Sequence, residues 1–172
     1  MAAEQQLIQR QELTTYYDVS KNFDETRLNA HIMRAQRNDV QHVLGAELYY
    51  DMMQDLNAVK YQLLLNGGTY DKQSRTIYFQ GVNELLASFA YSRVLGNNDT
   101  FVGNKGNKIK LSDESTEQTK VEVNVKAREA YSEALNIADS LKGFLEDNPD
   151  DYPLYRIGDR RPPEQSFIFI KV

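Results

Sequence analysis

The chain has 172 residues, 41% hydrophobic and 26% charged, enough for one domain with a sizeable core and the balance of a folded rather than a disordered protein. Its net charge of −5 argues against a general affinity for nucleic acid or anionic membrane, since both draw on a Lys/Arg excess. The absence of cysteine excludes a disulfide framework, a zinc–thiolate site and a thiol nucleophile.

In chain order, a short helix is expected at about Gln9 to Tyr17, broken by DVSKNFDE. Asn22 and Glu25 have the spacing of a capping box ahead of a second helix, about Asp24 to Leu44. Leu28, Ile32, Ala35 and Val43 recur there at helical steps and predict its core face. Gly45 stands where a left-handed C-cap would end it. A third helix is read over about Ala46 to Leu65, with a stripe of Tyr49, Met52, Leu56, Val59 and Leu63, stopped by Asn66–Gly68. TYDKQSRTIYFQG then reads as a small hairpin. A fourth helix, about Val82 to Leu95, carries Leu85, Leu86, Phe89 and Val94.

From Gly96 to Lys120 the chain turns polar and rich in Gly and Asn, with an apolar island at Phe101–Val102. A connection this long in a compact domain is usually functional or mobile, so it is read as an arm or extended loop, with a weak hairpin in it. The last helix, about Val123 to Glu146, shows Ala127, Tyr131, Ala134, Ala138, Leu141 and Leu145 at heptad-like steps. Its alanines would admit a neighbouring helix closely. The fold expected is mainly α: a bundle of about four to five helices in one domain, residues 1–147, with a small hairpin, a long loop and an extended tail over 148–172.

Candidate chemistry is sparse. His31 and His42 lie eleven residues apart on one predicted helix; at ~1.5 Å per residue that is about 16 Å, too far to share a metal ion. They are read as surface or interface residues. No carboxylate stands in a sequence setting that suggests a raised pKa, and the acidic runs SDES and EDNPDD lack the order of a calcium loop. The glycines match no phosphate-binding pattern, and no nucleophile-and-base set can be assembled. No catalytic residue, cofactor or metal is therefore expected. The three lysines of NKGNKIK read as a solvated loop rather than a nucleic-acid site. Eleven tyrosines fit an interface or a Tyr-rich core equally well. The opening MAAEQQLIQRQ lacks the basic and apolar regions of a signal peptide, and no apolar run approaches the ~18 residues of a membrane span.

The order of these pieces, and in particular HVLGAELYYDMM and LLNGGTY…TIYFQGVNELLASFAYSRVLGNN, resembles a family of head–tail connector (adaptor) proteins of tailed phages and prophages of Bacteroidetes, most like a neck ring protein of crAss-like phages. The matching positions are structural: Leu44–Gly45, Leu48–Tyr49, Gly67–Gly68, Phe79–Gly81 and Phe89–Tyr91. The resemblance implies a virion protein of the head–tail junction, assembled in the host cytoplasm. It implies a ring, usually of twelve copies, that extends the DNA channel below the portal protein and docks the next neck or tail protein. DNA would pass without specific binding, and no membrane is involved. Another non-enzymatic virion interaction module, such as a tail-completion or cargo protein, is the rival reading; a small enzyme without a recognised motif ranks below it. The apolar close of the chain, Phe167, Ile168, Phe169, Ile170 and Val172, lies outside the resemblance and is expected to bind a partner as an added strand, with Phe101 and Val102 as further partner-binding candidates.

Overall fold

The computed structural model describes residues 5–97, the strand backbones 101–103 and 106–108, and residues 120–155. The described chain is mainly helical, as expected, with an antiparallel two-stranded hairpin. Its elements are α1 (Arg10–Tyr16), α2 (Glu25–Ala35), a π turn (Gln36–Val40), α3 (Gln41–Leu44), α4 (Ala46–Gln54), α5 (Val59–Asn66), β1 (Gly67–Lys72), β2 (Arg75–Gln80), α6 (Val82–Asn97), β3 (Phe101–Gly103), β4 (Gly106–Lys108) and α7 (Lys120–Asp147).

α6 is the axis of the fold. Leu85 through Ala90 are all buried, so this helix is covered on every side, as a core helix is. α7 and α2 cover most of it, and α1 and α5 pack beside them. On α7 the predicted seam is buried at Ala127, Ala134, Ala138, Leu141 and Leu145 and partly buried at Tyr131. The small alanines bring the backbones close enough for Ser92 Oγ of α6 to donate to the Ala127 carbonyl at 2.9 Å. The predicted core positions of the second helix are also buried, Leu28, Ile32 and Ala35 on α2 and Val43 on α3.

Four expectations change. The cap of α2 is Asp24, whose carboxylate accepts from the Arg27 amide at 2.8 Å; Asn22 lies two residues too early. Gly45 does adopt a positive φ of 80°, but with ψ 151° it is extended rather than left-handed helical, and it starts α4, its carbonyl accepting from the Tyr49 amide. The single helix read over 46–65 is two. Asp55 (φ −144°, ψ 75°) ends α4, and its side chain accepts from the Asn57 amide in a local turn. The break turns α5 relative to the predicted stripe: Val59 is 88% exposed, and Tyr61, Leu64 and Leu65 are buried in its place. Finally, the π turn lengthens the rod from α2 to α3 by one residue. Eleven residues therefore no longer close three turns, although both histidines neighbour the same ion pair, His31 near Arg93 and His42 near Asp39.

The hairpin is in the register Gly67↔Gln80 through Lys72↔Arg75. Its turn residues Gln73 and Ser74 both have positive φ, 49° and 65°, the primed-turn geometry that matches strand twist. At its base the chain crosses itself: a Cβ on Gly81 would lie 2.3 Å from both the Gly67 nitrogen and the Leu65 carbonyl oxygen. Phe79 stacks on Phe144 of α7 at 3.8 Å between ring centroids, and Tyr152 meets Phe144 edge-on at 5.5 Å. Residues 148–155, the first part of the segment read as a tail, thus lie on the body. Tyr152 and Tyr155 are buried, and the Tyr152 hydroxyl donates to the Lys60 carbonyl at 2.7 Å. At the other end, buried Gln36 of the π turn accepts from the Leu7 amide and donates to the Gln5 carbonyl, both at 2.9 Å, and so ties down the chain ahead of α1.

Candidate interaction surface

Two groups of polar side chains stand out. The first is buried between α2, the π turn and α6. Arg93 of α6 donates twice to Asp39 of the π turn, each bond 2.9 Å, and Asp39 is 4% exposed. The π turn puts Asp39 on the inner side of the rod, next to buried Gln36 and Val40. Burial pushes the Asp39 carboxyl up from its ordinary value, and Arg93 partly offsets this. His31, also buried, has its pKa lowered to about 4, mainly by burial and further by Arg34, Arg27 and Arg93. The His31 Nδ1 atom has no hydrogen-bond partner among the described residues. The reading of His31 as a surface or interface residue is corrected, and Asp39 is a carboxyl with a raised pKa that no sequence setting suggested; nothing in the linear pattern announced the π turn that buries it.

The second group is on the surface where α1, β2, α6 and α7 meet. Tyr17 stacks on Tyr91 with ring centroids 4.4 Å apart. The Tyr17 hydroxyl lies 2.7 Å from Ser88 Oγ and donates to Glu133 at 3.0 Å. Burial, and after it the neighbouring Glu133 and Glu84, push the Tyr17 hydroxyl pKa up to about 12, against the pull of Ser88. Tyr16 faces Glu84 and Tyr78, whose charges add to burial in raising its pKa. Glu84 is raised as well, by burial first and then by Glu133, with a hydrogen bond to Gln80 working the other way. Tyr16 and Tyr78 remain 41% and 63% exposed. This is an aromatic surface with two carboxylates set into it, and it offers ring faces and negative charge to a partner. The Tyr16–Tyr17 doublet hinted at it; its partners come from three elements far apart in sequence.

A family model matches residues 40–164, well over half of the chain, and its description is a family of unknown function, DUF6712. The chain belongs to this family. No curated protein and no solved structure matches it.

In this DUF6712 chain the side chains of the sequence-predicted partner residues lie outside the described residues. Phe101 and Val102 lie on β3, whose backbone pairs with β4 as Phe101↔Lys108 and Val102↔Asn107; their side chains are outside the described set. Phe167, Ile168, Phe169, Ile170 and Val172 lie outside the described residues. Among the described residues there is no group of three or more His, Asp or Glu placed to hold a metal ion, and no helix is long and apolar enough to cross a membrane.

Proposed function

We propose that this protein is a structural component of a phage neck, a head–tail connector that forms a ring, of twelve copies in the family it resembles, below the portal protein. The observation that carries the reading is a helical body with apolar side chains left exposed on separate elements among the described residues. Val59 and Leu63 of α5, one turn apart, are 88% and 39% exposed, and Tyr16 and Tyr78 are exposed on α1 and β2. A closed ring is built from heterologous contacts, which need two different patches on each subunit. A net charge of −5 per copy suits a channel that repels DNA and lets it slide. The apolar end Phe167–Val172 adds as a strand to a neighbouring subunit or to the portal, with Pro162 and Pro163 stiffening the approach.

Immunogold electron microscopy on intact virions, with antibody to this protein, tests the reading. Label confined to the head–tail junction is the expected result. Unlabelled necks, together with no peptide of this protein in virion mass spectrometry, would overturn it.

A further inference from the structure

α2 gathers positive charge in a chain whose balance is −5. Arg27, His31 and Arg34 follow one another along it at steps of four and three residues. That spacing makes helix side chains neighbours on one face, about 5–6 Å apart at Cβ. Arg27 and Arg34 are exposed, and neither has an ion-pair partner among the described residues, whereas Arg10, Lys60, Lys72 and Lys142 all do. The acids at the start of the helix are engaged elsewhere: Glu25 pairs with Arg10 of α1, and Asp24 caps the helix at the Arg27 amide. The Arg27 guanidinium lies over the Phe23 ring, 5.9 Å from its centroid, which holds it against the helix. Between the two arginines, His31 is 7% exposed and its Nδ1 atom has no hydrogen-bond partner among the described residues.

We propose that Arg27, His31 and Arg34 form a binding site for a phosphate group. Two guanidinium forks match the oxygens of a tetrahedral oxyanion by paired hydrogen bonds, and protonation turns both imidazole nitrogens into donors. Arg93 of α6 stands near as a third cation, but its charge is already taken by Asp39 of the π turn. That leaves Arg27, Arg34 and the imidazole to face a dianion. The charged groups that act on His31 are all cations, Arg34, Arg27 and Arg93. The other titratable groups of the region, His42 of α3 and Tyr131 of α7, face Asp39 instead. A bound dianion reverses the balance at the ring, so binding takes up a proton there and strengthens as pH falls. A carboxylate brings one charge and two oxygens to these donors and satisfies them less fully. The site goes beyond the neck reading and does not depend on it.

The test is NMR of the full-length chain in a buffer free of phosphate, following the His31 imidazole as sulfate, inorganic phosphate or a short DNA duplex is added. The chain has two histidines, and a His42→Gln chain assigns the signals. Sulfate keeps its double charge across the range, so it isolates the titration of the ring. It should raise the His31 midpoint by about two pH units and bind about tenfold tighter at pH 5 than at pH 7. Arg34→Gln, at an exposed position, should weaken binding about tenfold. Arg75→Gln, which removes the same charge from the hairpin, should leave binding unchanged; circular dichroism verifies that both variants fold. DNA acting at lower concentration than phosphate would identify a nucleic-acid phosphodiester as the source of the group, and phosphate acting without DNA would identify a free phosphate; either supports the site. A His31 signal that none of the three probes moves, or equal losses in Arg34→Gln and Arg75→Gln, would overturn the proposal. Neither result bears on the neck reading, which virion labelling decides separately.

Discussion

Arg93 holds Asp39 by two parallel bonds inside the fold, where a lone charge is costly. Arg93→Met would leave the carboxylate buried without its cation and should lower unfolding stability by about 3–5 kcal/mol. The double change Asp39→Leu/Arg93→Met should recover a large part of that loss. Urea unfolding of the three chains measures both, and a single variant as stable as wild type would show that the pair does not hold the π turn in place. His31 makes a pH prediction. Its folded pKa of about 4 lies below its ordinary 6.5, so between these values the unfolded chain binds a proton that the folded chain refuses. Its contribution is neutral above about pH 6.5 and destabilising as pH falls toward 4, by roughly 3 kcal/mol at about 1.4 kcal/mol per pKa step. The raised carboxyls of Asp39 and Glu84 run the opposite way above 3.8 and 4.5, so the His31→Leu chain is the reference. Its stability, measured at pH 7 and pH 4.5, should fall less than that of wild type over the same interval.

Among the elements, the β1–β2 hairpin is where geometry asks most of individual residues. Gly81 and Gly67 sit where two backbone segments touch, and a methyl group on Gly81 would overlap backbone atoms that cannot swing aside. Gly81→Ala should cost about 3 kcal/mol or more, at the severe end of single substitutions, and a melting temperature within a degree or two of wild type would contradict the crossing. The turn makes the converse prediction. Gln73 and Ser74 hold positive φ without being glycine or asparagine, so the pair Gln73→Asn/Ser74→Gly should raise stability by about 0.5–1 kcal/mol in thermal unfolding. These two cases also show why some of the fold could be read from sequence and some could not. The hairpin, α6 and the α7 seam arise from period and turn chemistry within one segment, and all three are present. The split at Asp55 did not stand out, because Tyr49, Met52, Leu56, Val59 and Leu63 keep a helical period straight across it. The π turn and the partners of Tyr17 depend on packing between segments up to 116 residues apart, which no local pattern encodes.

At the scale of the whole molecule, the packing separates what the body needs from what is left for contact. The aromatic corner of Tyr70, Phe79, Phe144 and Tyr152 joins the hairpin, α7 and the turn after it. Tyr152 and Tyr155 of that turn belong to the same core. If the end of the chain serves partners rather than the fold, deleting residues 166–172 should leave helix content and melting temperature nearly unchanged while weakening association with other copies or with the portal protein. Circular dichroism and thermal melting give the first half of that comparison, and sedimentation with a portal pull-down gives the second. A truncated chain that loses its cooperative melt would mean that Phe167–Val172 lies on its own body. The exposed face at Tyr16 and Tyr78 would then be the surface to examine for it, and the case for an arm reaching a neighbour would fall.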